Sequence, residues 1–362
     1  MFPCHPLSYR IHSLRLAQLW VLVTFLLCAG CQANAPAELP SARSPRLVIL
    51  ETPPPRTALS PPRNPVVAPG PSGEGIWARV SRGSTLSKQV GHNRRVDEQA
   101  SWLIDNRRFL AHASSMAGPY LHFIVQSLEQ RNLPPELALL PMIESAYDPE
   151  AVSPRAAVGL WQFMTATASH CGLRQTPGYD GRRDVLASTL AAMDYLARLH
   201  AMFQGDWLLA LAAYNAGEGT VARAMDANRR RGLPTDYWHL NLPRETDDYV
   251  PRLLALSMLI GAPEAHGIDL QQVANEPYFA KVALPHPVDL RQLAQASGIA
   301  EKELRRLNPA YLHNTTAEGP GHLLVPIAQQ RPLMASLKAS DDLPAASALA
   351  PAQTAVAAAG LE

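Results

Sequence analysis

Leu137-Ala138-Leu139-Leu140-Pro141-Met142-Ile143-Glu144-Ser145-Ala146-Tyr147 is the stretch on which the reading of this sequence turns. Apolar residues at 137, 139, 140, 142, 143, 146 and 147 occupy nearly every face of a helix, which marks that helix as buried. Glu144 is its only ionisable carboxyl group. Desolvation disfavours a carboxylate and raises its pKa. A carboxylic acid held neutral near pH 7 can work as a general acid. The bland alternative is a core glutamate satisfied by an arginine or by backbone N–H groups, and the segment alone leaves both open.

Around this stretch the pattern is helical. Val96, Trp102, Leu103, Phe109 and Leu110 suit one amphipathic helix, and Tyr120, Phe123, Ile124 and Leu128 another. Pro134-Pro135 ends the second and opens the Glu144 helix, where Pro is tolerated. Pro141 inside it removes a backbone donor and is expected to bend it. Further helices are expected at 154–170, 184–203, 206–215, 217–231 and 245–261, with little strand signal among them.

The two ends differ from this α-helical body. Residues 1–30 carry Arg10 and Arg15 and an apolar run from Leu16 to Leu27, too short to span a bilayer, and read as a secretory signal. The run ends Leu27-Cys28-Ala29-Gly30-Cys31 and resembles a bacterial lipobox, with Cys28 where an aliphatic residue is usual. That resemblance implies acylation of Cys31 and, with Gln32 following, an outer-membrane anchor. Ordinary cleavage near Ala33 or Ala35 is the alternative. Once Cys4 and Cys28 leave with the signal, Cys171 is the one remaining thiol, so no disulfide framework is expected. Residues 32–75 hold 11 prolines in 44 positions and read as an extended tether, with a reach on the order of 100 Å. Lys plus Arg number 32 against 31 Asp plus Glu, which offers nothing to a nucleic acid.

Beyond Asn275 a strand is expected at Phe279–Val282, helices at Val288–Ser297 and Glu301–Leu307, and a strand at His322–Pro326. This β-α-α-β order, with Leu307-Asn308-Pro309 after the second helix, resembles a LysM carbohydrate-binding module. Pro285-His286-Pro287 stands where such modules carry a Gly-Asp turn, and the loop at 310–321 is long. The alternative is a structural appendage of the preceding domain. Ten alanines in residues 338–362 without apolar periodicity suggest a disordered tail.

Several short motifs recur in a recognisable order: Glu144-Ser145, Ser153, Gly159-Leu160-Trp161-Gln162, Ala212-Ala213-Tyr214-Asn215-Ala216-Gly217, and Glu245-Thr246 with Tyr249-Val250. Together they resemble the lytic murein transglycosylases of goose-type-lysozyme-like fold, and within them the membrane-bound D type. Trp161 stands where a Met is common in that family. The resemblance implies a mainly α fold, a lysozyme-like helical catalytic domain with a small α+β LysM-like C-terminal segment. The expected organisation is a signal peptide at 1–30, lipidated Cys31 and a proline-rich tether over 31–93, the catalytic domain at 94–265, the LysM-like segment at 275–332, and a disordered tail at 333–362.

The chemistry that the resemblance implies needs one carboxyl group. Two-carboxylate glycosidases place a second acid near the first, and Asp148, Glu150 and Asp184 are the candidates by sequence, none in an apolar setting that would tune it. In the family, Glu144 would protonate the oxygen between N-acetylmuramic acid and N-acetylglucosamine, with the substrate's acetamido group stabilising C1. It would then take the proton of the C6 hydroxyl as a 1,6-anhydro ring closes, consuming no water. Ser153, Gln162, Tyr214, Asn215 and Tyr249 would hold the sugar or the intermediate. Each has a plainer reading: helix cap for Ser153, solvated surface for Gln162, helix C-cap for Asn215 and core packing for Tyr249. The 12 histidines show no zinc spacing, and neither metal nor cofactor is expected. The implied partners are peptidoglycan strands and the outer membrane through the lipid, for a monomeric chain. A hydrolytic muramidase and an inactive cell-wall-binding lipoprotein are the competing readings.

Overall fold

A computed structural model describes residues 75–341, all within one compact unit. Cys31, the signal segment and the proline-rich stretch up to residue 74 lie outside the described residues. Among the described residues no helix is long and apolar enough to cross a membrane. The order is α1 (Ile76–Gly83), α2 (Leu86–Val90), α3 (Arg94–Asp105), α4 (Arg107–Ala117), α5 (Leu121–Gln130), α6 (Leu140–Ser145), α7 (Thr165–His170), α8 (Val185–Met202), α9 (Trp207–Ala216), α10 (Glu218–Arg230) and α11 (Arg244–Gly261). Then follow β1 (Phe279–Ala283), α12 (Leu290–Ser297), α13 (Glu301–Leu307), β2 (His322–Pro326) and α14 (Gln330–Asp341).

Local chemistry sets the helix starts. Asp206 accepts from the backbone N–H of Leu208 and Leu209 and starts α9. Asp184 does so for α8 through Ala187, Asn93 for α3 and Asp289 for α12. Leu209 to Ala213 of α9 are all buried, and α11 buries residues on most of its circumference. These two helices, with α3, α5, α6 and α8, form the main core. The fold is mainly α, as the sequence pattern implies.

Five sequence expectations are corrected. The one helix expected to carry Val96 to Leu110 is two, α3 and α4, parted at Asn106, whose backbone leaves the helical region. The Glu144 helix is split: a 3₁₀ turn covers Pro135–Leu139 and α6 follows, with Pro141 in its first turn. Pro135 at the first position costs no ladder bond, but Pro141 has no N–H to offer the Leu137 carbonyl, and the ladder is interrupted there. The helix expected at 154–170 starts only at Thr165; residues 151–164 instead double back, with bridges Val152–Val158 and Val158–Phe163. Positive φ angles at Ala156, Gly159 and Gln162 make those turns. Neither does the tether run to residue 93. Ile76, Trp77 and Val80 of α1 are buried, and the Trp77 indole donates to the Gln271 carbonyl at 2.9 Å. Finally, chain beyond 333 is helical as far as Asp341, because Leu333 and Leu337 of α14 complete the C-terminal core. Burying each contributes roughly 1.5–3 kcal/mol.

The C-terminal unit is a two-stranded antiparallel sheet, Phe279 opposite Pro326 and Ala283 opposite His322, covered by α12, α13 and α14. It is stitched to the helical body. Tyr179 and Tyr311 form an antiparallel bridge; Asp180 N–H donates to the Ala310 carbonyl at 2.9 Å and Leu312 N–H to that of Gly178 at 3.0 Å. The Tyr120 hydroxyl reaches the Arg306 carbonyl at 3.1 Å, and Phe123 packs on Phe279. The long loop at 310–321 therefore divides its backbone: residues 310 and 312 bond to the helical body, and Asn314, Thr316 and Gly321 bond within the C-terminal unit.

Candidate active site

Glu144 occupies the last turn of α6, and the chain leaves that helix through two successive left-handed residues, Ala146 (φ 52°) and Tyr147 (φ 62°). Non-glycine residues in that region are strained, and the surroundings hold them. Tyr147 is fully buried and its hydroxyl donates to the Ala138 carbonyl, anchoring the turn to the preceding segment. Glu144 as a residue is half-buried, and it lines a cavity of about 540 Å³.

Tyr249, on α11, donates to Glu144 Oε1 at 2.6 Å. Oε2 takes no hydrogen bond among the described residues. Burial pushes the Glu144 pKa up to about 7; the Tyr249 hydrogen bond pulls down and the negative charge of Glu245 pushes up, both less than burial. Burial also holds the Tyr249 and Tyr214 hydroxyls well above the ordinary phenol value, Glu144 adding to the effect. Tyr249 is thus a donor throughout the working range.

The turn at 159–162 contributes Trp161 and Gln162 to the cavity wall. Ser145 donates to the Leu160 carbonyl at 3.0 Å, tying α6 to the turn. Trp161 is fully buried and its indole donates to Thr189 at 3.0 Å. At Gly159 (φ 84°) a Cβ would come within 2.1 Å of the Arg182 carbonyl oxygen, so only glycine lets the turn lie against that strand of chain.

Each residue expected at the site from sequence lines the one cavity. Their free valences differ. Ser153 Oγ accepts from Ala157 N–H at 3.0 Å, which leaves its proton to donate elsewhere. The Gln162 amide nitrogen is turned to the Gly159 carbonyl at 2.8 Å, leaving its oxygen to accept. Asn215 accepts from Thr246 Oγ1 at 2.8 Å through its oxygen, leaving its amide group to donate. Tyr214 donates to the Trp161 carbonyl at 2.8 Å; it offers the cavity a ring rather than a donated proton.

Three charged residues on the cavity wall, Arg155, Glu218 and Arg252, were not singled out from sequence, and Glu245 entered only as part of its motif, with no role. The exposed pair Arg155 and Glu245 meets at 3.4 Å. Glu218 accepts from Tyr195 at 3.0 Å, and its position in the first turn of α10 holds its pKa down. Asp148 caps the Glu150 N–H and Asp184 accepts from Tyr179 and caps α8; both are structural. The one available signal was spacing: 245, 249 and 252 fall on one face of a helix. Among the described residues no three His, Cys, Asp or Glu side chains converge on a metal position.

Residues 122–234 match the transglycosylase SLT domain, and residues 278–342 match the LysM-like domain described for lytic transglycosylase MltD. The membrane-bound lytic murein transglycosylase D of Escherichia coli (strain K12) is 40% identical over 272 residues, covering 75% of this chain and 60% of that protein. A membrane-bound lytic murein transglycosylase F 1 of Alkalilimnicola ehrlichii is 30% identical over 176 residues, 46% of this chain and 32% of its own length. The chain thus spans 60% of the length of the D-type relative that it matches. Tyr249 falls beyond the matched SLT residues, on the helix that closes the cavity.

Proposed function

The chain carries a transglycosylase SLT domain, and on that premise we propose that it is a peptidoglycan lytic transglycosylase. It cleaves the β-1,4 bond between N-acetylmuramic acid and N-acetylglucosamine without water and leaves 1,6-anhydro-muramic ends. The observation that carries this reading is the single tuned acid: Glu144, pKa about 7, held by Tyr249 at 2.6 Å on the wall of the cavity.

Glu144 starts protonated and gives its proton to the glycosidic oxygen as the bond breaks. The substrate's own acetamido group answers the positive charge at C1, as in substrate-assisted glycosidases. Glu144, now a carboxylate stabilised by the Tyr249 hydroxyl, takes the C6 hydroxyl proton while that oxygen closes on C1. The proton count balances, and the enzyme returns to its starting state. Ser153 donates, Gln162 accepts and Asn215 donates to the sugar's hydroxyl and acetamido groups, according to the valences left free above. Tyr214 lines the groove with its ring and fixes the Trp161 turn.

The remaining assignments follow from sequence. A signal at 1–30, acylation of Cys31 and the proline-rich stretch make the protein a lipoprotein tethered to the periplasmic face of the outer membrane. The deciding experiment is product analysis: purified full-length protein digests sacculi, and mass spectrometry reads the ends. Anhydro-muramic ends are expected. Free reducing ends would make it a hydrolase, and no release of fragments would leave only a wall-binding protein.

A further inference from the structure

The face of α11 that lines the groove bears Glu245, Tyr249 and Arg252 at i, i+4 and i+7. At 1.5 Å per residue these span about 10 Å along the groove. The catalytic pair Tyr249 and Glu144 therefore sits between an acidic end and a basic end. The acidic end is answered by Arg155 across the groove. The basic end is not ion-paired: among the described residues no carboxylate, Asp248 one turn earlier on α11 included, lies within 4 Å of the Arg252 guanidinium.

Arg252 is nonetheless held in place. Its Nε donates to Gln99 Oε1 at 2.9 Å, and its guanidinium lies 4.8 Å from the centre of the Trp102 ring. Trp102 itself is 43% exposed. A stacked guanidinium with Nε engaged presents Nη1 and Nη2 with their planar donors already oriented. A half-buried cation with no counter-charge, fixed by an aromatic ring and lining a substrate groove, is poorly explained as a structural ion. It suits an anion that arrives with the substrate.

We propose that Arg252 is a specificity-determining residue that pairs with a carboxylate of the peptide carried by the muramic acid residues, with Gln99 and Trp102 as its positioning residues. The proposal rests on the lytic transglycosylase reading above. In that substrate the sugar backbone is neutral, the lactyl carboxyl of each stem-bearing muramic residue is tied up as an amide, and the carboxylates belong to the peptides. A guanidinium at one end of the groove thus distinguishes strands that still bear stems from strands that carry no carboxylate. It also sets direction, since the stem-bearing sugar must lie toward the Arg252 end.

The test compares full-length wild type, Arg252→Gln and Arg252→Lys on two substrates: intact stem-bearing sacculi, and glycan strands whose stems an amidase has removed and whose freed lactyl carboxylates have been capped as methylamides. For Arg252→Gln, kcat/KM on stem-bearing material is expected to fall about tenfold to a hundredfold further than on stripped strands, mostly through KM, as befits a lost charge-assisted contact. Arg252→Lys keeps the charge and loses the fork, and its ratio should fall between the two. The ratio of the two substrates is unmoved by a purely structural defect, which lowers both alike. Equal losses on both substrates, or none on either, overturn the assignment of Arg252 while leaving the enzymatic reading intact. If wild type releases fragments from neither substrate, both fall together.

Discussion

Glu136 and Glu144 lie eight residues apart in one apolar stretch, both are desolvated, and burial raises the pKa of both. Only one faces a cavity. Glu136 is fully buried, and its Oε1 accepts from the backbone N–H groups of Thr85 and Leu86, the latter at 2.6 Å, at the start of α2. That is a core glutamate held by backbone donors on one oxygen, its buried Oε2 taking no hydrogen bond among the described residues, and it is nearest to the bland reading that Glu144 itself left open. Glu144 has a tyrosine hydroxyl on one oxygen and groove beside it. A raised pKa is therefore shared by a structural carboxyl and a chemical one. What separates them is whether a substrate can reach the proton.

The widest gap between the two should appear on replacing each in turn. Glu144→Gln keeps the shape and removes the transferable proton, so turnover should fall by about two to four orders of magnitude with the fold intact. A turbidity assay showing more than about a tenth of wild-type activity would sink the assignment. Stability gives a second sign. The folded pKa of Glu144 lies above the unfolded value, so ionising it as pH rises through about 7 costs the wild type stability that the glutamine variant does not lose. Glu144→Gln should melt higher than wild type at pH 8, with the gap narrowing toward pH 5.

Tyr249→Phe tests the neighbour that marks Glu144 off from Glu136. Turnover should drop several-fold to a hundredfold with little change in melting temperature, because the hydroxyl serves the reacting carboxyl. The hydrogen bond lowers the Glu144 pKa, so its loss should also move the alkaline limb of the pH–rate profile to higher pH. A clear fall in melting temperature at unchanged turnover would place Tyr249 with the scaffold instead.

Glu136→Ala should have the smallest effect on turnover and a large one on the fold. It leaves the buried Leu86 N–H and the part-buried Thr85 N–H without their acceptor, a loss on the order of 1–3 kcal/mol. Denaturant unfolding would measure it against the rate per folded molecule, expected to stay near wild type. A variant as stable as wild type would show that α2 is held by something other than Glu136.

Much of this was legible in the chain. The long helices α8 to α11 announce themselves by apolar spacing and by Asp184 and Asp206 at two of their starts. Glu144 stood out because one carboxyl sat among apolar neighbours. The rest depends on partners far away in sequence. Residues 76–90 look like more tether until Val273 and Glu136 supply their hydrogen bonds. The 151–164 turns rest on left-handed Ala156 and Gln162, residues that carry no glycine signal. Glu136 was passed over as the border of the apolar stretch, and Arg252 reads as an ordinary solvated helix charge until Trp102, 150 positions earlier, is found beneath it.

The seam between residues 178–180 and 310–312 bears on how such a chain changes over generations. A module strung on a flexible linker can be lost, doubled or traded without consequence for its neighbour. Here the C-terminal unit shares a backbone bridge and a tilted pair of tyrosine rings with the loop that ends at Asp184, the residue starting α8, and Arg182 of that loop carries the carbonyl against which Gly159 rests. Its inheritance is tied to that of the catalytic turn, so substitutions on either side of the seam must be accepted together or not at all.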